Sequence, residues 1–232
     1  MLNIGQTSFD IRVPSLQRAH FESYSTNLFD VWEKDVAKTI PFEDYALSLE
    51  IEEGSITGKG KIAVTAGVLY FGIGAYGDFI GGLETIYGQL THVSERLFQA
   101  AKSPVGGNSV QATKRISAGA VSSMRVMFER VRSGTLTVDE AMNKFESMLG
   151  DELSENSAFV RDMRAQLEVA PSYPKQLSLE QDDWEKEAFV KPPQKTPRAP
   201  KPKPTPSPEH YRMEIWRESR NDRKQIKFIK VK

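Results

Sequence analysis

Cysteine is absent from the 232-residue chain. Its absence excludes disulfides, a thiolate nucleophile and Cys-based zinc sites, and fits a reducing compartment. Histidine is scarce. His20, His92 and His210 are the only three, and none has a second ligand at a metal spacing such as H-E-x-x-H, so surface or helix-face roles are expected of them. No serine stands in a G-x-S-x-G elbow. The N-terminal stretch MLNIGQTSFDIR lacks a basic segment followed by an apolar run, so a cleaved signal peptide is not expected. Hydrophobic residues make up only 39% of the chain, room for one ordinary domain plus extensions.

Net charge is also missing, but only in the total. Lys191 to Lys232 holds 13 Lys/Arg against 4 Asp/Glu, a net of +9, so the preceding 190 residues carry −9. An acidic body with a basic tail points to an anionic partner for the tail or to a solvated, solubilising end.

What is abundant is glycine, within one apolar stretch. Gly72 to Gly77, GIGAYG, spells G-x-G-x-x-G. A dinucleotide site also needs a following βαβ unit with an acid ending its second strand. Here Glu95 lies inside a helical pattern, and no G-K-[ST] follows to make a P-loop. No nucleotide cofactor is expected. From Ile62 to Leu83 the only formal charge is Asp78. About 20 apolar residues span a bilayer, so the stretch passes on length and is marginal on hydropathy. Small residues recur at spacing four, Ala63 with Gly67 and Gly77 with Gly81, a ridge on which two helices approach closely. Together with Asp78 these are the candidate helix-association residues. The soluble alternative is a central helix buried on all sides, whose glycines permit close crossings, or an initial buried strand in KIAVTAGVLYF.

Around this stretch the periodicities change. Ser15 to Lys38 reads as a helix, with Leu16, Phe21, Tyr24, Leu28, Val31 and Trp32 on one face and Pro41 ending it. Leu47, Leu49 and Ile51 alternate as a half-buried strand, and a turn at Glu53-Gly54-Ser55 precedes a return strand. Val121, Met124, Phe128 and Val131 form a helical stripe closed by Gly134. Thr137 and Glu140 form a capping box, and Ser154 is placed to cap a third helix that ends before Pro171. Pro192 to Pro208 contains 8 prolines in 17 residues, with Lys195, Arg198, Lys201 and Lys203 between them, the composition of an extended polyproline spacer. HYRMEIWRE and KQIKFIKVK then read as a hairpin, which alone is marginal in water and so pairs with a sheet edge or folds on a partner.

The expected fold is α+β, mainly α. Residues 1–61 hold a helix and a short strand pair, 62–102 a long glycine-rich helix, 103–170 a helical segment with an αα-hairpin, 171–208 a linker and 209–232 a basic β-hairpin. Three acidic pairs, Glu43-Asp44, Glu52-Glu53 and Asp182-Asp183, are candidates for acid/base chemistry, with solvated turns as the alternative. In the tail, Arg212, Trp216, Arg217, Arg220, Arg223, Lys224 and Lys227 combine cations with an aromatic and suit an acidic protein, a nucleic acid or an anionic lipid surface. The chain therefore reads as a non-enzymatic, self-associating interaction protein, membrane-associated or helix-packing. It is expected in the cytoplasm or on the cytoplasmic membrane, without cofactor or metal. The alternatives are a soluble nucleic-acid-binding adaptor and an enzyme with a carboxylate site that no motif marks.

Overall fold

Residues 1–106, 109–170 and 210–231 are described by a computed structural model. The linker at 171–208, with Asp182-Asp183, Trp184, Phe189 and the proline-rich spacer, lies outside the described residues. Among the described residues, six α-helices accompany one six-stranded antiparallel sheet, a mainly α, α+β fold. The strands are β1 (Leu2–Ile11), β2 (Ala46–Glu52), β3 (Ile56–Val64), β4 (Ala112–Ser117), β5 (His210–Arg217) and β6 (Gln225–Val231). They lie in the order β4-β1-β3-β2-β5-β6. The helices are α1 (Arg18–Thr39), α2 (Ala66–Gly74), α3 (Phe79–Lys102), α4 (Gly119–Arg132), α5 (Val138–Leu149) and α6 (Ser157–Val169).

The strand pair expected around Gly54 is the centre of this sheet. In β2, Leu47, Leu49 and Ile51 are buried and Ser48, Glu50 and Glu52 are not, as their alternation requires. β1 breaks that alternation. Its register slips between Asn3 and Gly5, so the buried set changes from Leu2 and Ile4 to Thr7, Phe9 and Ile11. A bulge shifts the side-chain phase by one residue, which hides the strand from a period-two reading. The hairpin β5–β6 takes the sheet-edge option: β5 pairs with β2 from Leu47–Arg217 to Glu52–Arg212.

One face of the sheet is covered. α1 lies over β2 and β5, and α3 over β1. Trp32, Phe21, Phe29, Leu90 and Leu97 come from these helices and meet Ile51, Ile62 and Ile215 in the core. Gly60 permits the approach: a Cβ there would lie 2.6 Å from Leu97 and 3.2 Å from Trp32. α1 runs to Thr39 and stops before Pro41 as expected, but it starts at Arg18, later than Ser15, without a side-chain cap. Thr137 and Glu140 form the anticipated capping box, and Gly134 has a φ of +70°. Ser154 does not cap α6, which starts at Ser157.

The single long helix expected over 62–102 does not form. Ile62 and Ala63 belong to β3. α2 then ends at Gly74, Gly77 turns with a φ of +86°, and α3 starts after Asp78. The segment expected to be helical with an αα-hairpin at 103–170 also contains β4, an exposed edge strand with only Ile116 as a large apolar residue. No helix among the described residues is long and apolar enough to cross a membrane.

Candidate functional site

The helices leave the other face of the sheet open, and the register fixes its composition. Ser117, Gln6, Lys61, Ser48, Trp216 and Gln225 are consecutive partners across all six strands. The row holds amides, hydroxyls, one ammonium and one indole, and no carboxylate. At about 4.8 Å per strand, Lys61 and Trp216 stand roughly 10 Å apart. The next row is Arg115, Ser8, Lys59, Glu50, Glu214 and Lys227. The third is Thr113, Asp10, Thr57, Glu52, Arg212 and Ile229.

Acids on this face are engaged chiefly at the β2–β5–β6 end. Arg212 reaches Glu50 at 3.4 Å and Glu52 at 3.3 Å, and Lys227 reaches Glu214 at 3.9 Å. Lys59 stands opposite Glu50 in the register, yet Glu50 pairs with Arg212. Lys59, Lys61 and Arg115 have no ion-pair partner among the described residues. Beside the acid-free row lies a shallow cavity of about 380 Å³, lined by Trp216, Lys61, Asn3, Ser48, Ala46 and Ala63, and also by Met1, Leu47, Arg217 and Glu218. The small side chains keep its floor low next to the indole. A flat ring stacks on such an indole, and a negative group is met by the nearby ammonium.

The candidate residues of the basic tail are dispersed by the fold. Arg217 and Lys224 turn back onto α1, where they pair with Glu33 and Asp30. Arg220 donates to the Phe42 carbonyl at 3.2 Å. Its backbone N–H donates to Asp44 at 2.8 Å, and this bond, with those from Ser219 and the Tyr45 N–H, holds the Asp44 carboxyl below its ordinary pKa. Arg223 is exposed in the turn. Of the seven, Trp216 and Arg217 line the cavity on the open face together with unpaired Lys61, and Arg217 is already paired with Glu33, while Arg212 and Lys227 contribute paired cations to that face.

The five helix-association candidates separate as well. Ala63 lies on β3, so it forms no helical ridge with Gly67. Gly77 is in the turn, and Asp78 caps α3 by accepting the Gly81 N–H at 2.8 Å. The close crossings use other glycines. A Cβ on Gly82 would run into the Ile73 carbonyl, whose carbon lies 3.0 Å away, and one on Gly72 would strike the Phe42 ring, 2.6 Å away at Cδ1.

Among the acidic pairs, Glu43 is exposed and Asp44 clamps the β5–β6 turn. Glu52 holds Arg212, and Glu53 is buried and accepts from the Ser15 hydroxyl. These four carboxylates do not converge on one cavity. His20 and His92 are exposed and His210 abuts Gly54. Among the described residues no cluster of His, Asp or Glu is arranged to hold a metal ion.

Lys59, Lys61 and Arg115 are the site residues that motif reading passes over. Their signal is the period of two in GKGKIAV, which puts both lysines on one strand face. A residue's neighbours two strands away are invisible without the register.

No protein-family model matches the chain, and neither a curated protein nor a solved structure matches it.

Proposed function

We propose that the chain is a non-enzymatic binding protein that takes single-stranded nucleic acid across the open face of its sheet. The observation that carries this reading is the acid-free row from Gln6 through Lys61 and Ser48 to Trp216, bordered by the unpaired Lys59 and Arg115. A base stacks on Trp216 while backbone phosphates lie over Lys61, Lys59 and Arg115. The amides and hydroxyls between them offer hydrogen bonds to either. Extended single strands suit a flat, open surface because their bases are already free to stack.

The test is fluorescence anisotropy of a labelled oligothymidylate with the full chain. Removing 191–232 would be uninformative, since it takes away two strands of the sheet. Trp216→Ala should weaken binding by about 5- to 150-fold, the equivalent of about 1–3 kcal/mol of stacking per base. Three phosphate contacts give a slope of log affinity against log salt of about −2, and Lys59→Gln with Lys61→Gln should flatten it to about −0.7. Absence of binding, or binding indifferent to all three changes, refutes the reading.

A further inference from the structure

A second concave surface lies at the far end of the helices, where α2, the α2–α3 turn and α6 meet. Its cavity is about 590 Å³ and is lined by Tyr70, Phe71, Phe79, Asp78, Asp162 and Gln166. Phe71 is 77% exposed, unusual for a phenylalanine that its neighbours hold in place. Tyr70 stacks on Phe159 at 5.2 Å and leans on Phe71 at 5.8 Å, and Phe79 packs against Phe159 at 6.0 Å. The Tyr70 hydroxyl donates to Asp162 at 2.6 Å. The aromatic walls are thus built in advance. Gly74 and Gly77, which also line the cavity, leave its rim without side chains.

We propose that this groove receives the chain's own proline-rich segment, Pro192 to Pro208. Three observations select that occupant. The first is place: α6 contributes Gln166 to the groove, Val169 beyond it is 80% exposed, and the described chain stops at Ala170. The 22 residues from there to Pro192 reach about 70 Å when extended, far more than the return to the groove needs. A tether of this kind supplies an effective concentration in the millimolar range. The second is shape. Proline-rich segments dock their rings into aromatic-lined grooves, losing little entropy because the extended helix is already formed. The third is charge. The segment has Lys195, Arg198, Lys201 and Lys203 and no acid, whereas the groove presents Asp78, which is in no ion pair among the described residues, and Asp162, which is paired with Arg161 at 3.3 Å.

The absence of cysteine makes the test direct. Thr196→Cys in the full chain carries a single spin label, and the nearby amides are read by paramagnetic broadening. The expected result is loss of the Tyr70, Phe71, Asp78 and Gln166 amide peaks, with recovery on Phe71→Ser. That exposed side chain can be truncated without opening the core. A labelled chain mixed with an isotopically labelled, unmodified chain separates the sources. Broadening carried between chains means a second copy's segment fills the groove and overturns the intramolecular assignment. Broadening that is uniform, or confined to the open sheet face, overturns the groove itself.

Discussion

The sharpest consequence of the α2–α3 geometry is that two glycines of one helix respond to alanine with opposite signs. Gly82 lies in the first turns of α3, buried against the end of α2. A Cβ there would overlap the Ile73 carbonyl oxygen, with the carbonyl carbon at 3.0 Å and the Ile73 Cγ2 at 3.2 Å. Two of these atoms are backbone, so relief requires the helices to separate. Overpacking of this kind costs about 1–3 kcal/mol, and the preference of helices for Ala over Gly returns about 0.5–1 kcal/mol. The net loss is then about 1–2 kcal/mol, a fall in Tm of about 2–8 °C for a chain of this size. Gly88, two turns further on, has no atom within 4 Å of an added Cβ and has helical backbone angles. Gly88→Ala therefore gains the propensity term undiluted, about 0.5–1 kcal/mol, or about 1–4 °C. Thermal unfolding followed by far-ultraviolet circular dichroism, with urea titration as a second measure, decides it. A stabilised Gly82→Ala variant would mean that α2 and α3 do not cross there, and the division of the glycine-rich stretch into two packed helices would fall with it.

The β5–β6 hairpin supplies two further expectations. Asp44→Ala removes three hydrogen bonds to a partly buried carboxylate and should cost about 1–2 kcal/mol. Since the folded carboxyl has the lower pKa, its contribution is complete above the unfolded value of about 3.9 and is lost as pH falls through the folded one. The gap in Tm between wild type and variant should therefore be constant near neutrality and close in acid; a gap independent of pH would count against the clamp. Arg217→Ala breaks the half-buried contact with Glu33, at a cost of about 1–3 kcal/mol. Amide exchange in β5 and β6 should accelerate more than in β1 and β3, and uniform acceleration would argue that the hairpin does not dock through this pair.

Local chemistry made much of the fold legible. Thr137 and Glu140, Gly134, the β2 alternation and the end of α1 before Pro41 each act within a few residues, and each is where the sequence places it. The losses came from long-range or phase-breaking features. β1 is interrupted by its bulge, and β4 is an exposed edge whose partner is 101 to 111 residues upstream at Ile11–Ala112 and Gln6–Ser117. The glycine run misled because composition was continuous across three elements. Ile62 to Val64 is strand, while Asp78 both ends the apolar run and starts α3. Asp78 acts there as a cap, its side chain accepting the Gly81 N–H.

The basic tail shows why a charge sum is a poor guide to a partner. Glu33 and Asp30 lie 184 and 194 residues from Arg217 and Lys224, yet the sheet brings each pair into contact. Arg212 is likewise matched by Glu50 and Glu52. Part of the +9 of the last 42 residues is thus neutralised by the acidic body of the same chain, and a ligand that recruited those cations would first have to break these contacts. Charge available for a ligand is better judged by what each cation already touches. By that criterion Lys59 and Lys61 of β3 and Arg115 of β4, from the acidic body of the chain, rank above Arg217 and Lys224 from its basic end. The same criterion keeps Trp216 in the site while releasing most of its basic neighbours: the indole faces open sheet, and the arginine next to it in sequence is held by Glu33 of α1.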